Sequence, residues 1–348
     1  MKRGVVAEVA VPACLSWCCI LGGCGGASER EAGSEGAGSS TGMLTSSTTS
    51  EPDPSAEDTG MLETGSEEAT AASLTGDESS EGSSGEPDAL GEPHGRLVID
   101  EVYFTGAQPF GDVDHYFSDQ FIALRNISDV PVATGGLMIA DVFGVAGEIN
   151  PGIEPNALTD DTEHVYLSSV WMIPGAPDDV VLAPGARMVI AQDGTNHAPF
   201  STVDLSGVDF ETFVADSEQD DDYPTVENLE LLHYNAGFDW LIPVFGPSVV
   251  IVDTTEALQT HVHEGQTLVA APVSAVVDGV DIVMDAESGP YKRLPSTVDA
   301  GFTFATGTYT GEAVRRRRED GQSVDTDDSS VDFELTMAPD PYGDGLEE

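Results

Sequence analysis

The chain has 348 residues and a formal net charge of −51, with 12 Lys plus Arg against 63 Asp plus Glu. So acidic a surface repels phosphate backbones and anionic headgroups, which excludes nucleic acid as a partner and favours divalent cations, cationic partners or a saline milieu. All 4 cysteines (Cys14, Cys18, Cys19 and Cys24) fall in the first 24 residues. No internal disulfide can therefore staple the rest, which has to be stable on its core alone.

Residues 1–23 read as an export signal. Lys2 and Arg3 form a positive start, and the apolar run from Val9 to Leu21 is too short to span a bilayer comfortably. The segment Leu21-Gly22-Gly23-Cys24 resembles the lipobox of bacterial lipoproteins, in which the cysteine thiol carries the lipid and the leader is cut just before it. Cys24 is thus the expected lipidation site, with an ordinary secretory signal as the alternative. Gly25, where an aspartate would signal inner-membrane retention, points to the outer membrane. Residues 24–94 are mostly Gly, Ser, Thr, Ala and Glu, with very few large hydrophobes. Such a segment cannot offset its ordering entropy, so a disordered acidic tether with an r.m.s. span of roughly 45 Å is expected.

From residue 95 to 338 the texture changes to short β-favouring runs punctuated by turns. Strands are expected over 96–104, 119–126, 137–144, 186–194, 247–253, 279–285, 300–306 and 331–336. Residues 201–222 and 253–262 could hold short helices, and Asn126, Ser128, Asp129 and Pro131 supply a turn. Many strands with irregular connections predict an all-β sandwich with insertions. Residues 339–348 form an acidic C-terminal tail.

The stretches "LVIDEVYFTG", "YFSDQFIALRNISDVPVATGGLMIAD" and "LAPGARMVIAQDG" resemble the opening of a lamin-tail-type domain. With "DLSGVDFETF", "YKRLPSTVDAGFTF" and "TDDSSVDFEL", the region is similar to a family of lamin-tail-like bacterial lipoproteins of unknown function. The resemblance implies an immunoglobulin-like sandwich on an exported, membrane-anchored protein, and it implies no catalytic residues.

Chemistry-bearing clusters are few. Asp216, Glu218, Asp220, Asp222 and Glu227 place hard oxygens as a calcium loop would, but Asp221 stands where an EF-hand needs glycine and Pro224 interrupts. A calcium site of another geometry would draw in Asp325, Asp327 and Asp328; a solvated acidic loop is the plainer reading. His261 and His263 share a strand face, whereas His115, His164, His197 and His233 are dispersed, so zinc finds only a pair. The run Arg315–Arg318 is either a clamp for a carboxylate or phosphate or, as favoured, charge compensation by Glu312, Glu319, Asp320 and the acids at 325–328. Tyr103, Tyr116, Tyr223, Tyr234, Trp240 and Tyr291 offer a sugar-stacking platform or, more plainly, core and rim. No HExxH or P-loop occurs, and no nucleophile-elbow or dinucleotide motif follows an expected strand. The expectation is a non-catalytic module, lipid-anchored to the outer membrane and facing envelope glycans or proteins. The alternative is a calcium-dependent hydrolase, or an accessory to one, that uses residues 216–227.

Overall fold

The structure is a computed structural model that describes residues 89–149, 153–217, 220–235 and 242–343. The leader, Cys24, nearly all of the expected tether, Glu218, Trp240 and the last five residues lie outside these. In chain order the first strands are β1 (Leu97–Tyr103), β2 (Phe121–Asn126), β3 (Val132–Ala133), β4 (Met138–Val142), β5 (His164–Met172) and β6 (Val181–Leu182). They are followed by β7 (Arg187–Ala191), β8 (Phe210–Glu211), β9 (Glu227–Asn228), β10 (Glu230–His233), β11 (Ser248–Val252) and β12 (Gln259–His263). The last are β13 (Gln266–Pro272), β14 (Val276–Asp281), β15 (Ala313–Arg316), β16 (Arg318–Glu319), β17 (Gln322–Ser323) and β18 (Phe333–Thr336). One turn of helix, α1 (Ser329–Asp332), is capped by Asp328, whose side chain accepts the Ser330 amide.

The fold is an all-β sandwich. The first sheet runs β18-β15-β1-β2-β7-β8-β9, antiparallel except where β8 pairs parallel with β7 and β9. The second runs β12-β13-β5-β4-β11-β14, with β10 also pairing β5. One apolar cluster joins Leu97, Ile99, Ile122, Leu124 and Ile190 of the first sheet to Ile139, Trp171, Val249 and Ile251 of the second. Without disulfides this layer carries much of the stability, since each fully buried side chain of this size contributes about 1.5–3 kcal/mol.

Both outer sheet faces are covered as well, which explains why several strands read as continuous apolar runs. In β11, Val249 and Ile251 face the central cluster, while Val250 and Val252 meet Leu294 and Val298 from the chain after β14. On the far side of the first sheet, Tyr103, Phe121, Val189 and Ala191 are covered by Val203, Leu205 and Val208. Those three lie in the segment where a short helix was expected. There Asp204 accepts the Ser206 amide and hydroxyl, a local side-chain contact that competes with helix. The second expected helix, 253–262, is instead a turn in which Thr254 accepts the Glu256 amide, leading into β12. The strand expected at 300–306 is reduced to a single bridge between Ile282 and Thr303.

Strand β5, nine residues long, was not expected. Its alternation breaks at Ser168-Ser169, where the register with β4 shifts. A second shift, between Ile99 and Glu101, makes Asp100 the extra residue of a bulge in β1.

Candidate functional site

The acidic segment does not act as one loop. Asp216, Asp222 and Glu227 are exposed, and Asp222 accepts a hydrogen bond from Asn228 Nδ2 at 3.1 Å. Glu218 is outside the described residues. Among the described acids of the segment, Asp220 alone turns inward, where its Oδ2 accepts the Val214 amide at 2.7 Å. It joins Asp193 and the fully buried Glu211, whose two oxygens take the amides of Gly194 and Tyr223 at 2.7 and 2.8 Å. Burial, and then repulsion within the group and from the neighbouring Asp221 and Asp222, pushes Asp193 and Glu211 up to about 7 and Asp220 to about 6. Nearby, Asp119 accepts the hydroxyls of Tyr103 and Ser201 and is pushed by burial to about 6. Sequence reasoning missed Asp193, Glu211 and Asp119 because they lie at separate points of the chain, outside any acidic run that would mark them.

Among the described residues, no group of three or more His, Cys, Asp or Glu side chains is arranged to hold a metal ion. Asp325, Asp327 and Asp328 have separate tasks. Asp325 pairs with Arg316, Asp327 sits at a positive φ of 55°, and Asp328 caps α1.

The histidine pair leads to a different arrangement. His261 and His263 do share a face of β12, an edge strand of the second sheet, with ring centres 6.4 Å apart. The row extends in both directions. Tyr166 of β5 lies 4.6 Å from His261 and 6.3 Å from His164, and Phe143 meets His263 edge-on at 5.6 Å. Five rings (His164, Tyr166, His261, His263 and Phe143) thus form a continuous, partly exposed line. Tyr166 is pinned by donating its hydroxyl to Asp161 at 2.7 Å. That bond, with the amides of Glu163 and His164, lowers Asp161 to about 2; the same bond, with burial and the Asp161 charge, raises Tyr166 to about 12.

The tyrosines expected as a platform are dispersed. Tyr103 is buried, Tyr116 contacts His197, Tyr234 packs on the central cluster and Tyr291 donates to Ile153 O at 3.1 Å. The remaining histidines are engaged elsewhere. His115 lies tilted against Tyr309, His197 is buried between Tyr116 and Asp193 O, and His233 donates to Thr267 O.

Of the arginine run, Arg316 is almost wholly buried and pairs with Asp278 at 2.6 Å, Asp325 at 3.0 Å and Asp332 at 3.4 Å. It also lies over the Phe333 ring, 4.7 Å from its centre. Charge compensation is therefore its role, though two of its three partners differ from the acids expected. Glu312 does not join it; its Oε2 accepts the amide of Thr306 and the hydroxyls of Thr306 and Thr310.

Residues 183–340 match the protein family of unknown function DUF4876. The DUF4876 match begins just before β7 and takes in Asp193, Glu211, Asp220, His261, His263 and the arginine run. It leaves out Phe143, His164 and Tyr166. A DUF4876 family protein from Bacteroides thetaiotaomicron, known from its crystal structure, is similar at 25% identity with a TM-score of 0.64. The alignment covers 72% of this chain and 74% of that one. No curated protein matches the chain. The DUF4876 similarity carries no catalytic assignment.

Proposed function

We propose that the chain is a lipoprotein of the bacterial envelope that presents a non-catalytic binding module, immunoglobulin-like in the lamin-tail manner, and takes a neutral glycan along the ring row. The observation that carries this reading is the line His164-Tyr166-His261-His263 with Phe143 at its end. Ring faces stack on the apolar faces of sugars, and imidazole and phenol edges meet sugar hydroxyls as donors and acceptors. A row of rings matches consecutive residues of a polymer better than a single small sugar. The anchor is read from Cys24 and the tether from residues 24–94, which would carry the module off the outer membrane.

The test is calorimetric titration of envelope polysaccharides into the full chain carrying Cys24→Ser, which removes the lipid. Binding that Tyr166→Ala weakens by tenfold or more supports the reading; no binding by any neutral polysaccharide sinks it.

A second reading keeps the calcium-dependent hydrolase or accessory module. In its favour, Asp193, Glu211 and Asp220 are buried near one another and oxygens on Asp193 and Asp220 have no hydrogen-bond partner, although as placed the three do not form a metal site. A calcium titration of the same protein with no heat and no change in melting temperature removes it.

A further inference from the structure

Four of the chain's 12 lysines and arginines meet on the outer face of the first sheet: Arg125, Arg187, Arg315 and Arg318. Arg125 and Arg187 stand directly opposite each other in the β2–β7 ladder, a like-charge pair that destabilises a sheet unless an anion lies between. Asp100, the extra residue of the bulge in β1, supplies that anion. Its Oδ2 lies 3.0 Å from Arg125 Nε and 2.9 Å from Arg187 Nε. The fully buried Glu101 takes Arg187 Nη2 at 2.8 Å and Arg315 Nε at 2.9 Å. Two carboxylates thus serve three guanidinium groups.

Arg318, on the β16–β17 hairpin, adds a fourth cation. It forms no ion pair within 4.0 Å among the described residues, and its Nη2 is buried without a hydrogen-bond partner. Other donors of the cluster are satisfied by neutral carbonyls: Arg125 by Gly185 O at 2.7 Å, Arg315 by Ala338 O at 2.7 Å, and Arg187 by Asp340 O. Carbonyls satisfy hydrogen bonds without compensating charge; besides Asp100 and Glu101, the Asp340 carboxylate acts on Arg315, which leaves Arg318 the least compensated of the four. Burial first, then the charge of Arg125, with smaller contributions from Arg187 and Arg315, holds the Arg318 guanidinium below its usual value, while the Asp100 carboxylate offsets part of this. Arginine does not shed a proton to escape such a setting. It takes an anion.

We propose that this cluster binds an oxyanion, a carboxylate or phosphate group, held by Arg318 with Arg125 and Arg315 beside it. Guanidinium groups bind both classes, through paired N–H donors where the geometry allows. The chain's overall negative charge does not forbid this. At physiological salt the screening length is about 8 Å, so distant acids are screened while the adjacent guanidinium groups act at contact. The site lies on the first sheet, whereas the ring row lies on the second, so the two stand or fall separately.

The test is the melting temperature of the full Cys24→Ser chain, titrated with inorganic phosphate or with alginate, a carboxylated polymer, against chloride at matched ionic strength. Above the dissociation constant the expected rise is about 3–5 °C per tenfold in anion. A response to phosphate assigns a free anion, and a response to alginate alone assigns a polymer-borne group. Arg318→Gln should abolish the rise while keeping the circular dichroism of the folded chain, and Arg318→Lys should keep part of it. The proposal is overturned if neither anion exceeds chloride, or if Arg318→Gln responds as the unsubstituted chain does. A variant destabilised in chloride alongside an unresponsive parent would also overturn it, because Arg318 would then serve only to neutralise the unpaired oxygen of Asp100.

Discussion

Replacing Asp193 with asparagine should stabilise the protein, and only above mildly acidic pH. Asp193 is 7% exposed and shares its surroundings with Asp220 and Glu211. Burial, the largest cause, and repulsion from those acids raise it from an ordinary 3.8 to about 7. Below about pH 4 the carboxyl is protonated in folded and unfolded chains alike and costs nothing. Between about pH 4 and 7 the unfolded chain ionises freely while the folded chain resists, so stability is lost as pH rises; above about 7 the loss is complete. At about 1.4 kcal/mol per unit the ceiling is about 4 kcal/mol, and sharing among three coupled carboxyls makes about 2–4 kcal/mol the working range. For a domain of this size that corresponds to roughly 5–10 °C in melting temperature. The assay is calorimetric or fluorescence melting of the parent and Asp193→Asn chains from pH 4.5 to 8.5. The variant should melt higher at pH 8, with the two curves converging near pH 4.5. Parallel curves, or a variant less stable at pH 8 than its parent, would refute the claim that an ionised Asp193 is held at a cost.

Trp171→Ala removes the largest fully buried side chain and should cost about 3–5 kcal/mol in urea unfolding. Arg316→Met leaves Asp278, Asp325 and Asp332 without their shared cation and should cost about 3–5 kcal/mol. Adding Asp278→Asn to it should restore part of that loss, which urea unfolding of the double variant would show. Mass spectrometry of the native protein should find Cys24 at the N-terminus and bearing acyl chains; an unmodified thiol or an intact leader would remove the proposed anchor.

Much of the β architecture was legible in the sequence because the strands nearest the centre carry apolar side chains on both faces. β2, β7 and β11 stand out as runs such as "SVVIV", bounded by glycine, proline or aspartate. β5 and the β12–β13 hairpin did not stand out, for opposite reasons. A bulge at Ser168-Ser169 interrupts the period of β5, and β12 sits at an edge where polar residues face solvent on both sides. The helix expected over 201–222 was misread because Val203, Leu205 and Val208 are spaced to cover a sheet, and a covering loop mimics an amphipathic period. Site residues followed the same logic. His261 and His263 were visible as a pair within one strand, but Tyr166 and His164 reach them only through the pairing of β5 with β13 and of β13 with β12. Asp220 could be seen in its acidic run, whereas Asp193 and Glu211 come from other strand ends. Contacts made by distant pairing leave no local period to read.

The ring row is tested most directly by comparing two variants against the glycan that binds best. His261→Ala removes a central ring; Tyr291→Ala removes a ring outside the row. The account predicts that affinity falls at least tenfold in the first and stays within twofold in the second, with both chains folded. Equal loss in both, or none in either, would contradict it.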